Sequence, residues 1–380
     1  MRLSIPSSAF VAATVGFGGT LAIVIAAANA VGATQIETAS WVTALCIAMA
    51  VESLYLSWRT KMPVITAWST PGVALIAASS GYTMAQAVGA FIVAALMLVA
   101  TGAFRPLTNL IARIPSSVAS AMLAGIVVSF AMNAARTVAI DPWLVLPLIV
   151  AFFVIRLFNP SLSVLAVLIG GFLLALLTGR IGALPGAELS TLTLVWPEFT
   201  LPAIIGLAIP LYLVTMASQN LSGLAVLKAD GYEPPPGLLI GFTGFVSLLT
   251  APLCASTTNL AAISAAICTG PDVDPDPAQR WKTGPFYALT YLVFAVFGAS
   301  LVALFAVLPA ALIALVAGLA LLPSLSNALT IALKDETQRM AAITTFAVTA
   351  SGLTLFGVGA AFWGLVAGLG LLALDQLKKR

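Results

Sequence analysis

Apolar runs of about 20 residues recur from Phe10 almost to the end of the chain, separated by short breaks rich in charge, proline or glycine. That length suits helices crossing a hydrocarbon layer roughly 30 Å thick. The runs place helices at about 10–31, 39–57, 83–103, 114–135, 142–157, 161–178, 200–222, 236–250, 283–307, 309–333, 338–356 and 358–376. Two further pieces, about 69–80 and 257–268, are too short to span unaided. Each follows a proline and extended-type residues, Pro63 before "VITAWS" and Pro252 before "LCAS", and reads as a half-helix completed by extended backbone.

Counting both short pieces as crossings gives 14 segments, with the two termini on the same side. All but Arg136 and Arg180 of the 16 lysines and arginines then fall on the side of the N-terminus, as the positive-inside rule requires of a cytoplasmic face. Dropping one short segment would invert everything after it. The halves also echo each other: Pro63 and Gly81 have the spacing of Pro252 and Gly270, Asn29-x-x-Gly32 recurs as Asn220-x-x-Gly223, and Pro115/Asn133 as Pro309/Asn327. A duplication of an odd number of crossings must be inverted. The expectation is an all-α polytopic membrane protein built from two inverted 7-segment repeats, 1–190 and 191–380, with segments 3 and 10 as the half-helices.

Composition sharpens this picture. Of the 380 residues 61% are hydrophobic and 8% charged, against roughly 25% charged in a soluble domain, which leaves no room for one here. The net charge of +3 is spread singly between apolar runs, so the basic residues read as topology markers and not as a nucleic-acid surface. Arg2, the apolar run and Ala28-Asn29-Ala30 imitate a secretory signal, but Phe10 to Ala30 exceeds the usual ~7–15-residue signal core and suits a first spanning helix. Cys46, Cys254 and Cys268 form no close pair and read as packing residues, and no histidine is present. With no H-E-x-x-H and no paired intramembrane aspartates, a hydrolytic centre has little to work with, so the chain reads as no enzyme, with no cofactor and no metal site. "PDVDPDP", carrying Asp272, Asp274 and Asp276, reads as a solvated loop between spans.

The candidate chemistry sits where polar residues enter apolar segments. Irregular backbone at membrane depth is tolerated only when buried in protein or lining a cavity, so the two broken segments should face each other. Their half-helices are expected to begin at Ser69, Thr70 and Gly72 and at Ser256, Thr257, Thr258 and Asn259, with these residues capping N-termini whose free N–H groups and dipoles would hold an anion. Ser218, Gln219 and Asn220 interrupt another apolar helix and either bond between helices or reach the ligand. Phe17, Trp68 and Tyr212 are candidate walls. Glu52 is the one carboxylate clearly inside a span, and it serves either as a proton carrier or as a residue near the cytoplasmic end turned toward Arg59.

"AWSTPGVAL", "TMASQNLSGLAVLKADGY" and "NLAAISAAICTGPDVDPDPAQRW" resemble the benzoate transporter (BenE) family of bacterial inner-membrane proteins, and the likeness in layout covers essentially the whole chain. The resemblance implies proton-coupled uptake of benzoate or a similar aromatic carboxylate on the fold shared by uracil and sulfate-type transporters. It further implies core segments 1–4 (about 10–104) and 8–11 (about 200–307), and gate segments 5–7 (about 111–179) and 12–14 (about 309–377). The nucleobase relatives carry acidic residues in segment eight where this chain has Ser218, Gln219 and Asn220, a difference that suits an anionic ligand. The family usually shows a histidine where Ser256 stands. The implied partners are an aromatic carboxylate, protons and the lipid bilayer, with no nucleic acid. A homodimer is compatible with the sequence, which does not set the oligomeric state. The alternatives are a carrier for another small anion or a nucleobase, or a passive anion channel.

Overall fold

The structure is a computed structural model that describes residues 4–104, 115–160, 162–182 and 184–378. Arg2, Arg105, Arg113, Lys379, Arg380 and the helix start expected at 114 lie outside these residues. The first half contains α1 (Ser4–Ala30), α2 (Gln35–Thr60), β1 (Thr66–Trp68), α3 (Thr70–Ala77), α4 (Met84–Ala103), α5 (Ser116–Ile140), α6 (Pro142–Phe158) and α7 (Ser163–Leu177). The second contains α8 (Leu201–Ala229), α9 (Pro236–Thr250), β2 (Thr258–Leu260), α10 (Ile263–Thr269), α11 (Thr283–Val296), α12 (Gly298–Ala306), α13 (Ala310–Lys334), α14 (Arg339–Ala350) and α15 (Ala360–Lys378). Among the described residues seven helices are long and apolar enough to cross a membrane, and the pair α11 and α12, counted as one span, makes an eighth.

Local chemistry sets the boundaries. Thr34 and Glu37 form a reciprocal capping box at the start of α2, and Thr83 and Gln86 repeat it at α4, so two free N–H groups at each helix start are met by side chains. The broken segments need more. Extended backbone at this depth must find every partner within the protein, and α2 supplies them to the first: Ser57 Oγ donates to Val64 O (2.9 Å) and accepts from Val64 N (3.1 Å), while Ser53 Oγ accepts from Thr66 N (3.0 Å). In the second, Ser247 Oγ on α9 accepts from Thr258 N (2.9 Å) and Asn220 Oδ1 on α8 accepts from Leu260 N (3.0 Å). The two strands then pair antiparallel, Thr66 with Leu260, Ala67 with Asn259 and Trp68 with Thr258.

Around this crossing α4 packs along α9 and α2 along α11, while α5 carries α13 and α14, and α14 packs on α15. α1 and α3 connect the two groups through contacts with α7, α13 and α5.

Three expectations change. The second half-helix begins at Ile263, not at Ser256 to Asn259. Thr257, Thr258 and Asn259 are therefore not caps: Thr258 and Asn259 are consumed by β2, Thr257 leads into it, and the helix follows Ala262 without a side-chain cap. The span expected at 283–307 bends by 59° where α11 meets α12. The "PDVDPDP" loop is anchored as well as solvated. Val273 and Arg280 are buried, Ser4 Oγ donates to Val273 O (2.6 Å), and Arg280 donates to Thr269 O (2.8 Å) and Asp274 O (2.6 Å).

Candidate substrate site

The strand crossing is held by hydroxyl groups. Ser69 caps α3 by accepting from Gly72 N (3.2 Å), as its place in "STPG" predicts, and its own N–H donates to Thr257 O (3.1 Å). Thr215, on α8, donates to Ser69 Oγ (2.8 Å) and meets Thr257 Oγ1 at 3.2 Å, so one side chain ties both broken segments to a third helix. Thr215 opens the wide-turned π stretch Thr215–Asn220, which also contains Ser218 and Gln219. Such π stretches recur at functional sites. The approach is close. A Cβ on Gly72 would lie 2.5 Å from Leu211 Cδ1, and one on Gly223 would lie 2.5 Å from Leu260 Cβ.

Beside the crossing lies a cavity of about 150 Å³, bounded by Gly16 and Thr20 of α1, by Trp68, Thr70 and Gln219, and by Tyr291 of α11. Val164 of α7 and Pro323 and Ser324 of α13 also line it, so both packed groups of helices contribute to the cavity. The Trp68 indole N–H donates to Thr20 Oγ1 (2.8 Å), and its ring meets Phe17 edge-on at 5.6 Å. Phe17 in turn contacts Phe294 at 4.6 Å and Tyr291 at 6.4 Å. An aromatic cluster thus backs a small cavity whose polar side chains are neutral.

The donors there follow from the capping. Pro71 has no N–H and Gly72 N–H is taken by Ser69, so the first turn of α3 offers the N–H and hydroxyl of Thr70. Gln219 is half-buried, its side chain makes no hydrogen bond to a described residue, and it lies on this cavity and on a smaller one of about 80 Å³ that Ser218 also lines.

Of the residues expected at the site, the cavity therefore brings together Trp68, Thr70 and Gln219, with Phe17 behind the indole. Ser69, Asn220, Thr257, Thr258 and Asn259 are fully buried in the crossing and form its frame. Ser218 turns its hydroxyl back to Val214 O (2.5 Å), and the Tyr212 hydroxyl pairs with Thr101 at 2.5 Å, within the packing of α8 on α4. Sequence reasoning missed Thr215, Gly16, Thr20 and Tyr291. Thr215 lay three residues before the polar triplet, and the tyrosine was one apolar position among many.

Glu52 is fully buried and does not turn toward Arg59. Its Oε1 accepts from Thr258 Oγ1 (2.5 Å), which also meets Ser247 Oγ at 2.8 Å. Glu52 Oε2, Ser256 Oγ and Asn259 Oδ1 are buried without a hydrogen-bond partner among the described residues. The carboxyl makes no ion pair among the described residues, and it stands one ladder pair from Trp68 through Thr258.

The sequence pattern of the benzoate membrane transport protein family, BenE, matches residues 1–374. The chain belongs to that family. It is 39% identical over 375 residues to the inner membrane protein YdcO of Escherichia coli, covering 97% of this chain and 96% of that one. It is 33% identical over 379 residues to the benzoate membrane transport protein of Acinetobacter baylyi, covering 99% and 96%. Among solved structures it resembles the transmembrane domain of the cyanobacterial bicarbonate transporter BicA, with a TM-score of 0.64, 15% identity and coverage of 97% and 99%. It also resembles the anion transporter SLC26A9, with a TM-score of 0.66, 10% identity and coverage of 98% of this chain and 65% of that one. This BenE member thus has the SLC26/BicA transporter fold, and its family and structural neighbours are membrane transporters, not enzymes.

Proposed function

We propose that this protein is a secondary transporter that takes up benzoate or a related aromatic carboxylate with a proton, by alternating access across the bacterial inner membrane. The observation that carries the reading is the cavity in which the Trp68 ring, the Thr70 donors and the Gln219 amide converge. A cavity near 150 Å³ is the size that takes a benzene ring, and neutral donors at a helix N-terminus suit a carboxylate. The Acinetobacter relative's name supports the same substrate class. In this reading the carboxylate lies against Thr70 and Gln219, the ring lies against Trp68 with Phe17 behind it, and Ser69, Thr215, Asn220 and Thr257 to Asn259 hold the frame.

The packing of α4 on α9 and α2 on α11, against that of α13 and α14 on α5, supports a core of segments 1–4 and 8–11 moving against a gate of segments 5–7 and 12–14. With 14 crossings in two inverted repeats, both termini are cytoplasmic. An anion entering against an inside-negative potential costs about 2.3 kcal/mol per 100 mV, and a co-transported proton cancels that charge. Glu52 is the proposed carrier, because it makes no ion pair among the described residues that a change of protonation would break, and it touches β2 through Thr258.

The test is a calorimetric screen of purified protein against benzoate, uracil, sulfate and bicarbonate, followed by uptake into proteoliposomes under an imposed pH gradient. Saturable benzoate uptake that responds to the gradient is expected. Binding confined to the inorganic anions, or uptake that never saturates, would refute the proposal.

A further inference from the structure

The cavity has a second polar end. Antiparallel pairing sends the chain out of β1 toward Thr70 in one direction and out of β2 toward Ile263 and Ser264 in the other, so Thr70 and Ser264 lie at opposite ends of the strand pair. Helix α1 marks the same separation. Thr20 receives the Trp68 indole N–H (2.8 Å), whereas Gly16, one turn earlier and about 6 Å along the axis, faces Ser264 and Tyr291. A Cβ at Gly16 would lie 3.1 Å from Ser264 Oγ and 3.4 Å from the Tyr291 hydroxyl, so two hydroxyls converge on one spot of the cavity wall. Ser264 Oγ gives its proton to Ala12 O in a long bond of 3.3 Å, which leaves its lone pairs for a donor. The neighbouring Tyr287 hydroxyl donates to Thr66 O (2.9 Å), and the Ser264 and Tyr291 hydroxyls both interact with it.

Resting on the reading that the carboxylate binds at Thr70, we infer that this site selects aromatic carboxylates bearing a ring hydroxyl at the meta or para position, bonded to Ser264 and Tyr291. The plain ring would set an apolar C–H edge against both hydroxyls. A site that hydrogen-bonds a ligand hydroxyl discriminates against the analogue lacking it, because that bond is then lost. The ortho isomer gains nothing, since its hydroxyl stays beside the carboxylate at the Thr70 end.

The experiment is titration calorimetry of the purified full chain with benzoate and with 2-, 3- and 4-hydroxybenzoate, repeated for Tyr291→Phe and Ser264→Ala. The quantity read is the ratio of each hydroxybenzoate affinity to that of benzoate, which general damage to the fold does not shift. The expected result is a 3- or 4-hydroxy isomer about tenfold tighter than benzoate, no gain for the 2-hydroxy isomer, and a ratio falling toward one in either variant. Benzoate binding as tightly as every isomer overturns the inference and leaves the transport reading intact. A preference that persists in both variants overturns the assignment to Ser264 and Tyr291. If no aromatic carboxylate binds, both readings fall together.

Discussion

Replacing Thr215 by valine keeps its shape and removes one hydroxyl, the group that joins α8 to both broken segments. Two contacts go, one to Ser69 Oγ at 2.8 Å and one to Thr257 Oγ1 at 3.2 Å. Ser69 still accepts from Gly72 N, whereas Thr257 Oγ1, fully buried, loses this contact. Neutral hydrogen bonds contribute about 0.5–1.5 kcal/mol each, and interhelical ones in membrane proteins average about 0.6. The expected loss is therefore about 1–3 kcal/mol of stability, measured by denaturant titration in mixed micelles. Because Ser69 caps the helix whose first residue, Thr70, faces the cavity, benzoate should also bind several-fold more weakly by calorimetry. Thr215→Ser keeps the hydroxyl and should recover most of both. A valine variant as stable as the parent, or a serine variant as damaged as the valine, would refute the reasoning that this hydroxyl clamps the crossing.

At the cavity itself, Gln219→Ala and Thr70→Val should each raise the benzoate dissociation constant roughly tenfold, from the loss of a bond to a charged ligand; two unchanged constants would mean that the carboxylate binds elsewhere. Glu52→Gln should abolish accumulation driven by a pH gradient in proteoliposomes while retaining exchange of pre-loaded substrate, and accumulation at the parent rate would remove Glu52 as the carrier. Gly223→Ala places a Cβ 2.5 Å from Leu260 Cβ and 2.9 Å from Ala261 O, so α8 must retreat from β2; overpacking of this kind costs about 1–3 kcal/mol, and an unchanged thermal midpoint would contradict the close approach.

The long spans were legible because hydropathy over 20 residues is a strong signal, and α1, α2, α4 and α8 begin within a few residues of where the apolar runs begin or earlier. The first half-helix was legible too, since Ser-Thr-Pro-Gly carries a cap and a first-turn proline that belong to no other element. The second was misread for a definite reason. Ser-Thr-Thr-Asn satisfies the same capping preference, but β-branched threonines also favour extended backbone, and here a strand partner 190 residues away in sequence claims Thr258 and delays the helix to Ile263. Local pattern cannot weigh so distant a partner. The depth of Glu52 was obscured similarly, because α2 continues to Thr60 and the crossing covers the carboxyl from the side. The π stretches of α8 change neither composition nor apolar content, and so left no trace beyond the polar triplet itself.

The ladder between Thr66–Trp68 and Thr258–Leu260 also has a consequence for how the chain is made. When the ribosome has completed the first strand, its partner is still about 190 residues away, or roughly 10–40 s of synthesis at about 5–20 residues per second. During that interval the strand's outward N–H and C=O groups have no ladder, and Ser53 and Ser57 of α2 are the groups already present that can hold it. A nascent first half is therefore an unfinished object, and the two serines are its holding fixture until the second half supplies the missing strand.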